Sequence, residues 1–357
     1  MYVTKLDLVN FRNYQELHIE FPKGLNLIVG PNASGKTNLI EALYYLSLAR
    51  SFKKAEDKDL IRFNEEIAEI QLAYQNKENK HLITAKLSSK GKLITFDNEK
   101  LKSVSSLIGK LLAISYYPNS VNLFRLDPMT RRNFLDSSIS LISSKYLFSL
   151  GNFKKILKNR NAAFIQGDEV VIKALTDQLI NSAYRLTYER KKFVTELNLK
   201  VNTIYQELFN TKEKLTLKYQ TKMPLEEDQL EFIKKTNLLF DYIKSEERIK
   251  KSTLIGPQRD DLVAYLDGKQ VYSYASQGQN RLVVLALHLA FKEILKEHYQ
   301  EEPILLLDDV LSDLDLDRQE RLLNYLKKQE QVFITTTKEY SNVDNIIKVT
   351  ELSKGAY

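Results

Sequence analysis

At 357 residues the chain is too long for one simple core and is expected to fold as two lobes. A content of 43% hydrophobic and 28% charged residues suits a globular protein, and the absence of cysteine excludes disulfides and thiolate metal sites and fits a cytoplasmic setting. The net charge of +7 is compatible with a polyanionic partner and equally with a lysine-rich solvated surface. No apolar run approaches the roughly 20 residues of a membrane span, and Met1 to Leu8 lack the pattern of a signal peptide, so no membrane partner is expected.

In chain order, Val3, Leu6 and Leu8, then Phe11, Leu17, Ile19 and Phe21, alternate with polar residues. This predicts two strands joined by Asn10-Phe11-Arg12-Asn13-Tyr14. Leu25 to Val29 reads as a buried strand leading into Gly30-Pro31-Asn32-Ala33-Ser34-Gly35-Lys36-Thr37. That stretch fits G-x-x-x-x-G-K-[ST], the phosphate-binding loop. Its glycines let the backbone curl so that N–H groups converge on an anion. Lys36 supplies a mobile charge for the β- and γ-phosphates of ATP, and the Thr37 hydroxyl is a ligand for Mg²⁺. Asn38 to Leu46 predicts the helix that follows, its positive end at the phosphates.

Beyond Arg50-Ser51-Phe52-Lys53-Lys54, three β-like runs (67–74, 81–87 and 92–96) predict a small antiparallel sheet. From about residue 103 the period turns helical, with a break at Tyr116-Tyr117-Pro118. Asp127 and Pro128 predict a helix start, and the pattern runs on to Ala162. Two long helical stretches, about 169–210 and 224–251, flank a short β-like run and suggest a helical hairpin. Val194, Leu197, Val201, Ile204 and Leu208 have coiled-coil spacing over only two heptads. A short strand pair turning at Asp267-Gly268 follows. Ser276-Gln277-Gly278-Gln279-Asn280-Arg281 then opens a strongly apolar helix, a second anion-binding terminus in principle. Ile304-Leu305-Leu306-Leu307-Asp308-Asp309 reads as a buried parallel strand with acids at its ligand-binding end. Asp308 is placed to hold Mg²⁺, and Asp309 to orient or deprotonate the attacking water. A last strand, Gln331 to Thr337, ends in hydroxyls.

This order of motifs resembles the ABC-type ATPase heads of the SMC family and, over essentially the whole chain, the RecF family of recombination-repair proteins. The resemblance rests on Leu8 to Tyr14, Gly30 to Thr37, Arg50 to Phe52, Arg131 to Asp136, Asn159 to Ala162, Gly256 to Leu262, Ser276 to Arg281 and Leu306 to Asp309. It implies an α/β ABC-type P-loop ATPase head with a mostly helical second lobe, SMC-like without the long coiled coil. Lobe I would comprise 1–115 and 300–357, and lobe II 116–299.

By the same resemblance, Ser276, Gln277, Gly278 and Gln279 would complete the nucleotide site of a second, identical subunit, so that ATP glues an ATP-dependent homodimer. Arg12 and Asn13 would lie near the nucleotide, Arg50 near its phosphates, and Asp315 in the loop crossing the dimer interface. The dimer would bind DNA and work with RecO and RecR mediators; Lys53, Lys54, Arg131, Arg132, Lys154, Lys155 and Lys158 are candidate phosphate contacts. The chain departs from many ABC ATPases in having Asp309 where they have glutamate and threonines (335–337) where transporters have a switch histidine. Both changes imply slow hydrolysis, catalysed around Lys36 and Asp309. Two other readings compete: the ATPase subunit of a membrane transporter, and a P-loop small-molecule kinase.

Overall fold

The computed structural model describes residues 1–349 apart from 54, 78, 313, 341, 342 and 344; for 119 it describes the backbone only. The strands are β1 Tyr2–Phe11, β2 Tyr14–Glu20, β3 Gly24–Val29, β4 Ile67–Asn76, β5 Asn79–Ser88, β6 Gly91–Phe96, β7 Glu99–Lys100, β8 Ala113–Tyr116, β9 Leu215–Gln220, β10 Asp261–Leu266, β11 Lys269–Gln270, β12 Ile304–Asp308, β13 Gln331–Thr336 and β14 Asn345–Lys348. The helices are α1 Lys36–Leu48, α2 Pro128–Ile142, α3 Ser144–Gln166, α4 Glu169–Phe209, α5 Gln229–Lys250, α6 Val271–Tyr274, α7 Gln277–Tyr299 and α8 Leu316–Leu326. They form two compact units: Met1–Val121 with Glu207–Thr211 and Val284–Tyr357, and Asn122–Gln206 with Lys212–Val283.

In the first unit, an antiparallel sheet of order β2-β1-β4-β5-β6-β7 and a parallel sheet of order β14-β3-β13-β12-β8 share one core. Helix α1 packs against β8, β12 and β13 of the parallel sheet and against β4 and β5 of the other. Contact on both sides explains its nearly continuous apolar sequence: Leu39, Ile40, Ala42, Leu43, Tyr45 and Leu46 are all buried. β12 is buried at every position, as a central parallel strand should be, and pairs with β13 and β8. β3 lies beyond β13, so the phosphate loop and the acidic end of β12 emerge at the same carboxyl edge of the sheet.

Two strands of this sheet fall outside the sequence expectation. β8 lies in a stretch whose period reads as helical, and β14 follows the last strand expected. Each has only four residues, and its identity comes from pairing with β12 or β3 rather than from alternation of its own.

The second unit is mostly helical around the three-stranded sheet β11-β10-β9. The helical run expected through 162 is interrupted at Ser143, whose hydroxyl accepts the Tyr146 N–H and caps α3. In the long helix α4, Val194, Leu197, Val201 and Leu208 are buried, but Tyr205 rather than Ile204 continues the stripe. From Leu179 by way of Ala183, Leu186 and Arg190 the buried stripe reaches Leu208 in eight steps of about 3.6 residues each, the period of a helix packed on a core. The asparagines of α4 also close an edge: Asn202 Oδ1 accepts the Leu215 N–H at 2.9 Å, and Asn198 Oδ1 accepts the Leu217 N–H at 2.6 Å. The spacing matches because four helical residues rise about 6 Å and two strand residues about 6.8 Å.

Several motifs of the sequence resemblance meet in the polar core of this unit. Arg190 is fully buried; it donates to Asp136 Oδ1 at 2.7 Å, Asp260 Oδ2 at 3.0 Å, the Tyr146 hydroxyl and the Pro257 carbonyl. Arg131 forks onto Asp261 at 2.7 and 2.9 Å and onto the Leu126 carbonyl. Arg160 pairs with Glu247 and donates to the Thr176 and Thr253 hydroxyls.

Candidate nucleotide site

The loop from Gly30 to Gly35 turns the chain from β3 into α1. Ala33 (φ 64°) and Gly35 (φ 103°) take left-handed conformations, which curl the backbone into a concave nest. A side chain on Gly35 would also collide with Asn13 at 2.5 Å and the Tyr14 hydroxyl at 2.9 Å. Pro31, Asn32 and Ala33 are exposed, and Ser34 is half-buried. Lys36 is buried, and its Nζ donates to the carbonyls of Gly30 and Pro31 at 2.7 and 2.8 Å. Burial pulls the Lys36 pKa below its ordinary value, while the charges of Asp309 and Asp308 act in the opposite sense.

Thr37, the second residue of α1, meets the end of β12. Its hydroxyl lies 2.9 Å from each carboxylate oxygen of Asp308. On the neighbouring strand, the Thr335 hydroxyl donates to Asp308 Oδ1 at 2.6 Å and accepts the Asp309 N–H at 2.9 Å. Asp309 is exposed at a left-handed φ of 53°, so the chain turns sharply just after the buried Asp308. These hard oxygen donors fit Mg²⁺, and among the described residues no cluster of three or more His, Cys, Asp or Glu offers another metal site.

The turn between β1 and β2 approaches the loop from the other side. Asn13 Nδ2 lies 3.5 Å from the Ser34 carbonyl, its Oδ1 accepts from Asn38, and the Tyr14 hydroxyl donates to the Gly35 carbonyl at 3.2 Å. Arg12 points into a buried pair with Glu41, 3.0 Å at each of two contacts. Arg50 is exposed, with its guanidinium against the Tyr44 hydroxyl. Glu41, Asn38 and Tyr14 are the site residues to which sequence reading gave no individual role, and Thr335 is the one of the three threonines expected at the switch position that meets Asp308. For Glu41 a signal was present: it is the one charge inside the apolar run Leu39 to Leu43.

In the second unit, Ser276 begins α7. Its hydroxyl accepts the Gln279 N–H, and Gln279 Oε1 accepts the Ser276 N–H, a reciprocal capping box. Ser276, Gln277 and Gly278 are exposed, whereas the Gln279 amide is committed to this cap and to Glu213. Asp315, in the first unit, caps α8.

The basic candidates separate into distinct environments. Lys154, Lys155 and Lys158 are exposed on α3. Lys53 donates to Asn38 and Glu41, beside the phosphate loop. Arg131 is buried in its pair with Asp261, and Arg132 donates to the Asp260 carbonyl. The Arg131 guanidinium serves the core of the second unit, which argues against it as a DNA contact, whereas Arg132 is half-buried. Lys54 lies outside the described residues.

The fold and site define a P-loop ATPase head of the ABC type. The family model described as RecF/RecN/SMC N terminal domain matches residues 2–356. The chain belongs to the RecF family within that group: it is 39% identical to the DNA replication and repair protein RecF of Halalkalibacterium halodurans over 97% of this chain and 94% of the relative. RecF of Bacillus subtilis is 36% identical, covering 100% and 98%. A solved structure of the recombination mediator protein RecF with ATP, from the RecFOR pathway, superposes with a TM-score of 0.89 at 31% identity, covering 97% and 95%. The Pyrococcus furiosus Smc head, at 17% identity and a TM-score of 0.56 over 97% and 93%, shares the fold. Among the described residues no helix is long and apolar enough to cross a membrane.

Proposed function

We propose that this protein is an ATP-gated DNA-binding switch of recombinational repair, acting as a homodimer in the cytoplasm. The observation that carries the reading is the meeting of Thr37, Asp308 and Thr335 beside the phosphate loop, with the capping Ser276 exposed on the second unit. The first arrangement is half of a nucleotide site, and the second is the surface element that completes such a site in a partner copy. RecF relatives over almost the whole chain, one of them solved with ATP, support the same reading.

Bound ATP would place its phosphates in the nest of loop N–H groups, with Lys36 turning from the Gly30 and Pro31 carbonyls toward them. Thr37 and Asp308 would hold Mg²⁺, which supplies charge neutralisation at the phosphate oxygens. Thr335 fixes both the Asp308 carboxylate and the backbone of Asp309, which orients a water. The shorter reach of Asp309, compared with a glutamate, suits slow turnover used as a timer. Ser276, Gln277 and Gly278 would meet the γ-phosphate of the partner's nucleotide, with Gln279 bracing their cap. Lys154, Lys155 and Lys158 supply candidate DNA contacts, and RecO and RecR are the expected mediators.

Light scattering with ATP–Mg²⁺, with ADP, and with duplex DNA tests this reading. A mass that doubles in ATP only, followed by salt-sensitive DNA binding, is the expected result. A monomer in every state with no DNA complex at low salt overturns it.

A further inference from the structure

We propose that Glu41 is a positioning residue for nucleotide binding, the buried anchor that holds the β1–β2 turn against the phosphate loop. The nucleotide part of this proposal rests on the function proposed above; the positioning part rests on geometry alone.

Glu41 lies one helical turn beyond Thr37 and has no exposed surface. A carboxylate in that position is tolerated only if its oxygens are occupied. Oε1 accepts from Arg12 Nη2 at 3.0 Å and from the Ser51 hydroxyl; Oε2 accepts from Arg12 Nε at 3.0 Å and from Lys53 Nζ at 3.3 Å. The remaining Arg12 donor, Nη1, goes to the Asp59 carbonyl at 2.8 Å, and the Arg12 backbone N–H goes to Leu60. Arg12 is also left-handed, at φ 54°, a conformation that a non-glycine residue keeps only when its surroundings enforce it.

What this fixes is the direction of the Ser34–Gly35 amide of the loop. Asn13 and Tyr14, immediately after Arg12, contact the carbonyls of Ser34 and Gly35. In a trans peptide the C=O of one residue and the N–H of the next point in opposite directions. Holding the Ser34 carbonyl toward the turn therefore aims the Gly35 N–H away from it, into the nest; the Gly35 carbonyl, which also accepts from the Asn38 and Leu39 N–H groups, ties the turn to the start of α1. The Glu41 carboxylate is engaged by Arg12, Ser51 and Lys53 and acts on the loop through Arg12. It contributes pre-organisation of the anion site, leaving Thr37, Asp308 and Asp309 unaffected.

Hydrogen exchange of the nucleotide-free full chain tests the positioning directly. In Glu41→Gln, which keeps the shape and removes the charge, segments 10–16 and 30–37 should exchange about tenfold faster, the scale of losing charge-assisted bonds. The ATP dissociation constant should rise about tenfold with kcat within about twofold, the signature of lost binding rather than lost chemistry. On ATP affinity, Asn13→Ala combined with Glu41→Gln should be little worse than Asn13→Ala alone, because both act on one turn. If Glu41→Gln lacks a cooperative melt, Arg12→Lys, which keeps charge but loses the fork, carries the same expectation for nucleotide-free exchange. Wild-type exchange in 30–37, or additive losses in the double variant, overturns the proposal. Failure of the wild-type protein to bind ATP would overturn the function proposed above, while the nucleotide-free exchange still decides the role of Glu41.

Discussion

The Thr37 hydroxyl lies 2.9 Å from both carboxylate oxygens of Asp308, although 271 residues separate the two in sequence. Buried, with Thr335 on its other side, Asp308 is held by hydroxyls that a divalent cation can displace or share. Asp308→Asn keeps the size and removes the negative charge. ATPase turnover should fall by about a hundredfold or more, a loss comparable to removing a group that stabilises developing charge. Binding of ATP without Mg²⁺ should change little. Steady-state kinetics and nucleotide titrations in chelator separate the two effects, and full activity in Asp308→Asn would contradict the assignment.

Ser276→Arg introduces bulk and positive charge at the exposed start of α7. ATP should still bind the monomer with wild-type affinity, and the ATP-dependent doubling of mass should disappear. Sedimentation of the variant in ATP–Mg²⁺ would show normal pairing if Ser276 lies away from the interface.

The acid limb of stability should carry the mark of Glu41. Burial by itself raises its pKa, but hydrogen bonds from Arg12 and Ser51 and the charges of Lys53 and Arg12 outweigh burial and hold it below the ordinary 4.5. A carboxyl depressed in the folded state stabilises fully above its unfolded pKa, and that contribution is lost as pH falls from about 4.5 through the folded value. Melts between pH 7 and pH 3 should therefore show a shallower acid loss in Glu41→Gln than in the wild-type protein. Parallel curves would mean that the carboxylate has no net favourable pairing.

Arg190→Met leaves Asp136 and Asp260 without the cation they share in the buried core of the second unit. Breaking one side of a buried pair costs about 3–5 kcal/mol. Denaturant unfolding should shift by that amount, while mild conditions that keep the fold should preserve the Thr37–Asp308 site and ATP affinity. A near-neutral effect would show that the two aspartates are taking up protons or water instead.

The part of the site legible in the sequence was the part encoded in contiguous residues. Gly30 to Thr37, the strand before it and the helix after it form a local unit, and Ile304 to Asp308 announces a buried strand by its own composition. Glu41 was visible as an odd charge, but its meaning depends on Arg12, 29 residues earlier, and Ser51, 10 residues later. Arg131 shows the reverse limit. A sequence displays its charge but not the burial that pairs it with Asp261, 130 residues away. Likewise, β8 is recognisable only beside β12, whose partner residue to Ala113 is Ile304.

Asn198 and Asn202 bear on what keeps the small sheet of the second unit from growing. By occupying the Leu215 and Leu217 amides they remove donors with which a stray strand could extend the small sheet at β9. A helix lying along an edge thus acts as a guard against open-ended sheet growth. Replacing both asparagines with leucine would keep α4 helical and unlock that edge, so concentration-dependent fibrous aggregation would be the trait that appears.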